Sequence, residues 1–157
     1  MVKKRIKVGI IGLGYVGLPL AIKFSLSNLK TIGFDSDKIK VKKINSGKSY
    51  IKFFSNKIIK KILKKDFFAT NDFSLIKEVD FIIMCLPTPL KKNRSPEMKY
   101  INNSLNKIFP YLKKNQCISL ESTTYPGTCD EVFVPMLEKK FKLGKDFYLV
   151  YSPERED

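Results

Sequence analysis

Short apolar runs alternate with amphipathic, lysine-rich stretches along the chain. The runs at residues 6–11 (IKVGII) and 80–86 (DFIIMCL) are largely hydrophobic, as expected of strands that are buried on both faces. Residues 51–65 (IKFFSNKIIKKILKK) instead place apolar side chains at helical spacing with lysines between them. Strands that alternate with helices in this way predict a parallel sheet covered by helices on both faces.

The same pattern predicts about six strands and the helices that connect them. The strands are expected at residues 6–11, 31–35, 67–70, 80–86, 116–122 and 146–152. The helices are expected at residues 15–27, 36–46, 51–65, 73–78, 99–114 and from Pro126 to about Phe141. Six strands joined by right-handed crossovers make an α/β fold, a doubly wound parallel sheet of the Rossmann type. We therefore expect a single domain over residues 1–157.

A glycine-rich turn connects the first predicted strand to the first helix. Residues 8–21 read VGIIGLGYVGLPLA, in which Gly12, Gly14 and Gly17 form the pattern G-x-G-x-x-G. In that pattern the first glycine allows a tight turn, the second lets a pyrophosphate approach the backbone, and the third packs helix against strand. Free N–H groups at the start of the helix then favour phosphate. The alternative is a turn that only connects the two elements.

Asp35 provides the acidic residue that the same fingerprint requires. It ends the second predicted strand at the required distance, about 20 residues after the glycines. Its carboxylate is expected to accept hydrogen bonds from the adenosine ribose of NAD and to repel the 2′-phosphate of NADP. The alternative is that Asp35 only caps the following helix.

Polar segments also follow the later strands, at the sheet edge where ligands bind in open α/β folds. The segments are CLPTPL (85–90), LESTTYPGT (120–128) and YSPERED (151–157). The hydroxyl side chains expected on the nicotinamide side are those of Thr88, Ser122, Thr123 and Thr124. Glu154 would enter from the last strand. Helix capping ahead of Pro126 is the alternative for the hydroxyls, and a surface position is the alternative for Glu154.

Composition limits the chemistry and the partners. The formal net charge is +15 and histidine is absent, so general acid–base work would fall to Glu, Asp, Lys or Cys. The basic residues are almost all lysines spread along the chain, which indicates a solvated surface and no nucleic-acid partner. No apolar run reaches the about 20 residues that cross a bilayer, so no membrane partner is expected.

Three cysteines, Cys85, Cys117 and Cys129, are present without C-x-x-C spacing. Their odd number and spacing argue against a disulfide framework or a metal site and for a reducing cytoplasm. Each is expected to be a small packing residue.

These motifs together resemble the N-terminal NAD-binding domain of the UDP-glucose/GDP-mannose 6-dehydrogenase family. The segments that carry the resemblance are, in family order, GLGYVGLPLA, FDSDKIKVKKINSG, CLPTPL, ESTTYPGT and SPERED. The forms PTPL, SPEMKYI, ESTTYPGT and YSPERED look most like UDP-N-acetylglucosamine 6-dehydrogenases of bacterial surface-polysaccharide pathways. The resemblance implies an oxidoreductase that converts the C6 alcohol of a nucleotide sugar to a carboxylate in two NAD-dependent steps.

The resemblance also implies roles for individual residues at the cofactor. The backbone around Leu13, Tyr15 and Val16 would contact the pyrophosphate of NAD. Asp35 would hold the adenosine ribose, and Lys40 would lie beside that ribose, at a position where relatives usually have arginine.

On the reacting side, the resemblance implies that Thr88 lines the cofactor cleft and that Thr123 lies near the nicotinamide. Thr123 would help to hold a catalytic water, which Glu154 would orient or activate when a thioester is hydrolysed.

The resemblance places much of the family's machinery beyond Asp157. The family continues through a linking helix and a UDP-sugar domain that carries the catalytic cysteine, and none of the three cysteines here matches that nucleophile. The isolated 157-residue chain is therefore expected not to turn over, and the full-length form is expected to be a homo-oligomer. Two alternatives remain open: the same chemistry on UDP-N-acetylmannosamine or UDP-glucose, and a non-catalytic nucleotide-binding module.

Overall fold

Six parallel strands form one sheet in the computed structural model, which describes residues 5–92 and 94–153. The strands are β1 (Lys7–Ile11), β2 (Lys30–Phe34), β3 (Phe67–Thr70), β4 (Phe81–Met84), β5 (Gln116–Leu120) and β6 (Phe147–Tyr151). Their order across the sheet is β3-β2-β1-β4-β5-β6, and every neighbouring pair is parallel. This topology confirms the predicted doubly wound α/β fold.

Helices cover the sheet between the strands. They are α1 (Gly17–Leu26), α2 (Lys38–Asn45), α3 (Asn56–Leu63), α4 (Lys99–Ile108) and α5 (Val134–Leu137). Two 3₁₀ segments (Phe73–Glu78 and Phe109–Tyr111) and one wide π-type turn (Cys129–Phe133) complete the set. Among the described residues, no helix has the length and hydrophobicity needed to cross a bilayer.

The core consists of two clusters of buried side chains, one on each face of the sheet. In β1, Val8 and Ile10 belong to the cluster under α1, α2 and α3, whereas Ile11 belongs to the cluster under α4 and α5. Alternate side chains of a strand point to opposite faces, so a strand buried on both faces is hydrophobic throughout. This arrangement explains why the strands were easily recognised in the sequence.

The helix predicted over residues 51–65 begins five residues later, at Asn56. Side-chain hydrogen bonds hold the preceding segment in a turn. The Ser49 hydroxyl donates to the Ile51 carbonyl at 2.9 Å and accepts from the Ile51 amide at 3.2 Å, and Asn56 Oδ1 accepts from the Ser49 amide at 2.8 Å. Serine and asparagine compete with the helix for backbone groups in this way, and hydrophobic periodicity does not record that competition.

Proline and glycine explain two further differences between the predicted and observed helices. The helix predicted over residues 99–114 ends at Ile108, and Pro110 lies in the 3₁₀ turn that follows. The helix predicted to start at Pro126 begins at Cys129, because Gly127 adopts a φ of +92° in the turn before it.

One face of α3 carries lysines only. Lys57, Lys60, Lys61 and Lys64 lie at i, i+3, i+4 and i+7 and line a shallow groove of about 460 Å³. No carboxylate within the described ranges forms an ion pair with any of them. Like charges at this spacing destabilise a helix. The solvated lysine surface expected from the sequence therefore includes a stripe of uncompensated positive charge.

Replacing Lys57 with glutamate is expected to stabilise the protein by about 0.5–1 kcal/mol at low salt. Lys57 lies in the first turn of α3, where a negative charge interacts well with the helix dipole and with Lys61 one turn later. Urea unfolding measures the gain, which should shrink as salt screens the charges. Lys57→Gln, which removes the charge only, should give an intermediate gain; a gain that is independent of salt would contradict this explanation.

Candidate functional site

A cleft of about 790 Å³ opens at the carboxyl ends of β1 and β4, where the strand order reverses direction. One wall is formed by the turns that follow β1 and β2, and the opposite wall is formed by α4. Ligands of open α/β sheets bind at such a switch point because the connections on its two sides diverge to opposite faces.

Two of the three glycines in the turn after β1 are required by the backbone itself. Gly12 has a φ of +89°, and a Cβ atom there would lie 2.3 Å from the carbonyl oxygen of Cys85. A Cβ atom on Gly17 would lie 1.8 Å from the carbonyl oxygen of Gly12. A Cβ atom on Gly14, by contrast, would meet nothing within 4 Å, although Gly14 lines the cleft. The space beside Gly14 is therefore open to a ligand.

The amide groups of this turn leave donors at the start of α1. In the described part of the chain, no acceptor is found for the backbone N–H groups of Gly14, Tyr15 and Val16. The first turn of α1 contains no acidic residue and receives no side-chain cap. Unpaired N–H groups together with the positive end of the helix dipole form an anion site. The geometry is suited to a phosphate group.

Asp35 connects the two turns that form this wall. Its Oδ2 accepts from the Leu13 amide at 3.0 Å and lies 3.7 Å from Lys40 Nζ, while its Oδ1 accepts from the Asp37 amide at 2.9 Å. The cap of α2 is Asp37, whose Oδ1 accepts from the Ile39 and Lys40 amides. The alternative that Asp35 merely caps α2 is therefore wrong, because its carboxylate bridges two loops at the cleft.

The predicted cofactor residues divide into those that line the cleft and those behind them. The lining residues are Gly12, Gly14, Tyr15, Val16, Asp35, Lys40 and Thr123. Leu13, Gly17 and Thr88 do not line it. The amide of Leu13 is already held by Asp35 and its side chain is buried, so its predicted contact with pyrophosphate stays a prediction.

Hydroxyl groups join the loops on the far side of the cleft. Ser122 Oγ accepts from the Leu86 amide at 2.8 Å and donates to the Met84 carbonyl at 3.4 Å. Thr88 Oγ1 donates to the Thr123 carbonyl at 2.6 Å, which holds the exposed Thr123 at the rim. These bonds link β4 to β5, and none of them caps a helix. Glu154 lies outside the described residues.

The sequence motifs did not predict that α4 forms a wall of the cleft. Its cleft-lining residues are Tyr100, Asn103, Ser104 and Lys107. They recur at i, i+3, i+4 and i+7, opposite the buried Ile101, Leu105 and Ile108. A stripe of mostly polar residues with this period marks the exposed face of many helices, so only its position after β4 could have indicated a ligand.

The cysteines occupy packing positions. Cys85 is buried beside Gly12 at the base of the cleft, and Cys117 and Cys129 are half-buried. Burial raises the pKa of the Cys117 thiol, and burial followed by the charge of Asp130 raises that of Cys129. Both therefore remain thiols at neutral pH. No group of three or more potential metal-ligating His, Cys, Asp or Glu side chains occurs within the described ranges.

Comparisons with known proteins identify similar sequences. Residues 6–157 match the UDP-glucose/GDP-mannose dehydrogenase family, NAD binding domain. Protein CapL of Staphylococcus aureus is 35% identical over 94% of this chain and 34% of its own length. The UDP-N-acetyl-D-glucosamine 6-dehydrogenase of Salmonella typhi is 33% identical over 96% of this chain and 35% of its own. The chain thus spans about a third of the length of these relatives.

Solved structures of enzymes from this family have the same fold as this chain. A ternary complex of GDP-mannose dehydrogenase from Pseudomonas aeruginosa superposes with a TM-score of 0.89 at 29% identity, covering 98% of this chain and 37% of that one. The UDP-N-acetyl-mannosamine dehydrogenase Cap5O of Staphylococcus aureus superposes with a TM-score of 0.87 at 30% identity, covering 95% and 37%. The chain therefore belongs to the UDP-glucose/GDP-mannose dehydrogenase family, and residues 6–157 correspond to its NAD-binding domain.

Proposed function

We propose that this chain is the NAD-binding half of a cytoplasmic nucleotide-sugar 6-dehydrogenase that oxidises the C6 alcohol of UDP-N-acetylglucosamine to the uronic acid. The observation that carries the proposal is that open backbone donors and an acidic side chain lie side by side on one wall of the cleft. The amides of Gly14, Tyr15 and Val16 have no acceptor among the described residues, the space beside Gly14 is open, and Asp35 lies at the end of the neighbouring strand. This is the arrangement that a dinucleotide requires.

The residues in the turns that follow β1 and β2 fit different parts of NAD. The Gly14–Val16 amides would hold the pyrophosphate, and Asp35 with Lys40 would hold the adenosine ribose. When bound, NAD supplies the hydride acceptor for the two oxidation steps. The chain's own task is therefore to bind and orient the cofactor so that one face of the nicotinamide meets the sugar.

On the nicotinamide side, Thr123 and Glu154 are the proposed catalytic residues. Thr123 is exposed at the cleft rim, and the bond from Thr88 fixes its backbone there. Its hydroxyl would hold a water molecule, and Glu154 would take a proton from that water as general base. The chain contains no histidine, and in this proposal the carboxylate of Glu154 serves as the general base that an imidazole often provides.

The choice of sugar rests on motifs, and one of the two alternative sugars is supported by a relative. The segments PTPL, ESTTYPGT and YSPERED support UDP-N-acetylglucosamine. The UDP-N-acetyl-D-mannosamine dehydrogenase of Pyrococcus horikoshii is 31% identical over 95% of this chain, which supports UDP-N-acetylmannosamine as the alternative. Most contacts to either sugar would come from the part of the relatives' length that this chain does not match.

The purified 157-residue chain is expected to bind NAD but to form no NADH with UDP-N-acetylglucosamine, UDP-N-acetylmannosamine or UDP-glucose. The reason is that the nucleophilic cysteine and the sugar site are proposed to lie in the part of the relatives' length that this chain does not match. Joining the chain to the remaining two thirds of the Salmonella typhi relative should restore NADH formation, which absorbance measures.

Glu154→Gln in that chimera should lower turnover without changing the affinity for NAD. Multiple-turnover NADH formation by the isolated chain would refute the proposed division of the site. Full turnover by the Glu154→Gln chimera would refute the proposed general base.

A further inference from the structure

Tyr50 lies behind the adenosine end of the cleft and is held there by a stiff turn. Its neighbour Ser49 makes two hydrogen bonds with Ile51 and one with Asn56, and Ile51 is buried. The Tyr50 ring packs against the core cluster under α1, α2 and α3. The position of the ring is therefore fixed by the fold, before any ligand binds.

The Tyr50 ring faces the only lysine that lines this end of the cleft among the described residues. Lys40 Nζ lies 5.8 Å from the ring centroid and 3.7 Å from Asp35 Oδ2. An ammonium within about 6 Å of an aromatic face is attracted by the ring quadrupole. The Lys40 ammonium thus has two attractive partners, the Tyr50 ring and the Asp35 carboxylate.

The Tyr50 hydroxyl takes no part in this contact. It is buried and has no hydrogen-bond partner among the described residues. Burial, followed by the charges of Asp35 and Asp37, raises the pKa of Tyr50 well above its usual range. The phenol therefore stays neutral, and it is the ring face, not a phenolate, that attracts the ammonium.

From these contacts we infer that Tyr50 is a positioning residue, whose ring holds the Lys40 ammonium beside Asp35, where the adenosine ribose binds. The inference rests on the proposed binding of NAD by Asp35 and Lys40.

A lysine side chain is long and flexible, and its ammonium is strongly hydrated. Without the ring, the half-exposed Lys40 would spend more of its time in solvent, and binding would have to order it. The Tyr50 ring therefore restricts the Lys40 side chain before NAD binds.

The first test is a double-mutant cycle measured by calorimetric titration with NAD. Tyr50→Leu, which removes the ring, should weaken NAD binding about two- to fivefold, the range expected for one partly exposed cation–π contact. Tyr50→Phe keeps the ring and should bind NAD like the wild-type chain. In a Lys40→Met background, Tyr50→Leu should cause no further loss. Lys42→Met on the exposed face of α2 is the matched control for the loss of charge.

The second test does not depend on NAD. The NMR signals of the Lys40 ε-methylene protons should be shifted upfield by the ring current in the wild-type chain and in Tyr50→Phe, and should lose that shift in Tyr50→Leu. An unshifted Lys40 in the wild-type chain would overturn the inference, as would an equal loss of affinity in the Lys40→Met background.

A wild-type chain that binds no NAD would refute the proposed function and, with it, the role of Tyr50 in binding. The Lys40 shift would still decide separately whether the ring holds the ammonium.

Discussion

Gly14→Ala is expected to fold as stably as the wild-type chain and to lose affinity for NAD by about tenfold or more. The added methyl group meets no atom within 4 Å, and the φ of Gly14 does not lie in the left-handed region, so the folded state has room for it. The same methyl group would occupy the open space beside Gly14, where we propose that the pyrophosphate binds to the amides of Tyr15 and Val16. Calorimetry measures the affinity, and urea unfolding measures the stability.

Gly17→Ala is the matched control because it makes the same change three residues away with the opposite expectation. Its methyl group would lie 1.8 Å from the Gly12 carbonyl oxygen, so the start of α1 would have to move away from β1. The cost in unfolding free energy should be about 3 kcal/mol or more. Wild-type affinity in Gly14→Ala would show that the phosphate does not need the space beside Gly14, whereas a destabilisation equal to that of Gly17→Ala would show that Gly14 serves the fold.

The sheet was predictable because each strand carries its own signal. Val8, Ile10 and Ile11 are all apolar because β1 is buried on both faces, and this requirement is visible in any short stretch of sequence. Helix ends were less predictable. The start of α3 at Asn56 depends on the hydrogen bonds of Ser49, and such local competition between side chain and backbone leaves no hydrophobic pattern.

The functional site, like the fold, was predictable only in part. Gly12, Gly14, Gly17 and Asp35 were recognised because their spacing along the chain is itself the fingerprint. Tyr50 was not, because its relation to Lys40 exists only after the turn around Ser49 packs beside α2. Contacts made by folding have no fixed spacing, so the residues that position a recognised motif are harder to see than the motif itself.

Asp35 joins two loops and is also the proposed ribose acceptor, so its replacement should have two separable effects. Asp35→Ala leaves the Leu13 amide buried without its acceptor, which should cost about 1–3 kcal/mol of unfolding free energy. It also removes the proposed ribose acceptor, so NAD binding should weaken on the order of 10- to 100-fold. NADP should lose less affinity or gain some, because the charge that repels its 2′-phosphate is gone.

The ratio of the NAD and NADP affinities separates the binding role from the structural one. A variant that is only less stable loses both cofactors equally, whereas the loss of a ribose acceptor changes the ratio. Asp72→Ala is a suitable control: Asp72 caps the Phe73–Glu78 segment by accepting from the Ser74 amide at 2.9 Å, and it does not line the cleft. It should leave the NAD-to-NADP ratio unchanged. If Asp35→Ala also left that ratio unchanged, the carboxylate would serve only to join the two loops, and cofactor discrimination would have to come from elsewhere in the cleft.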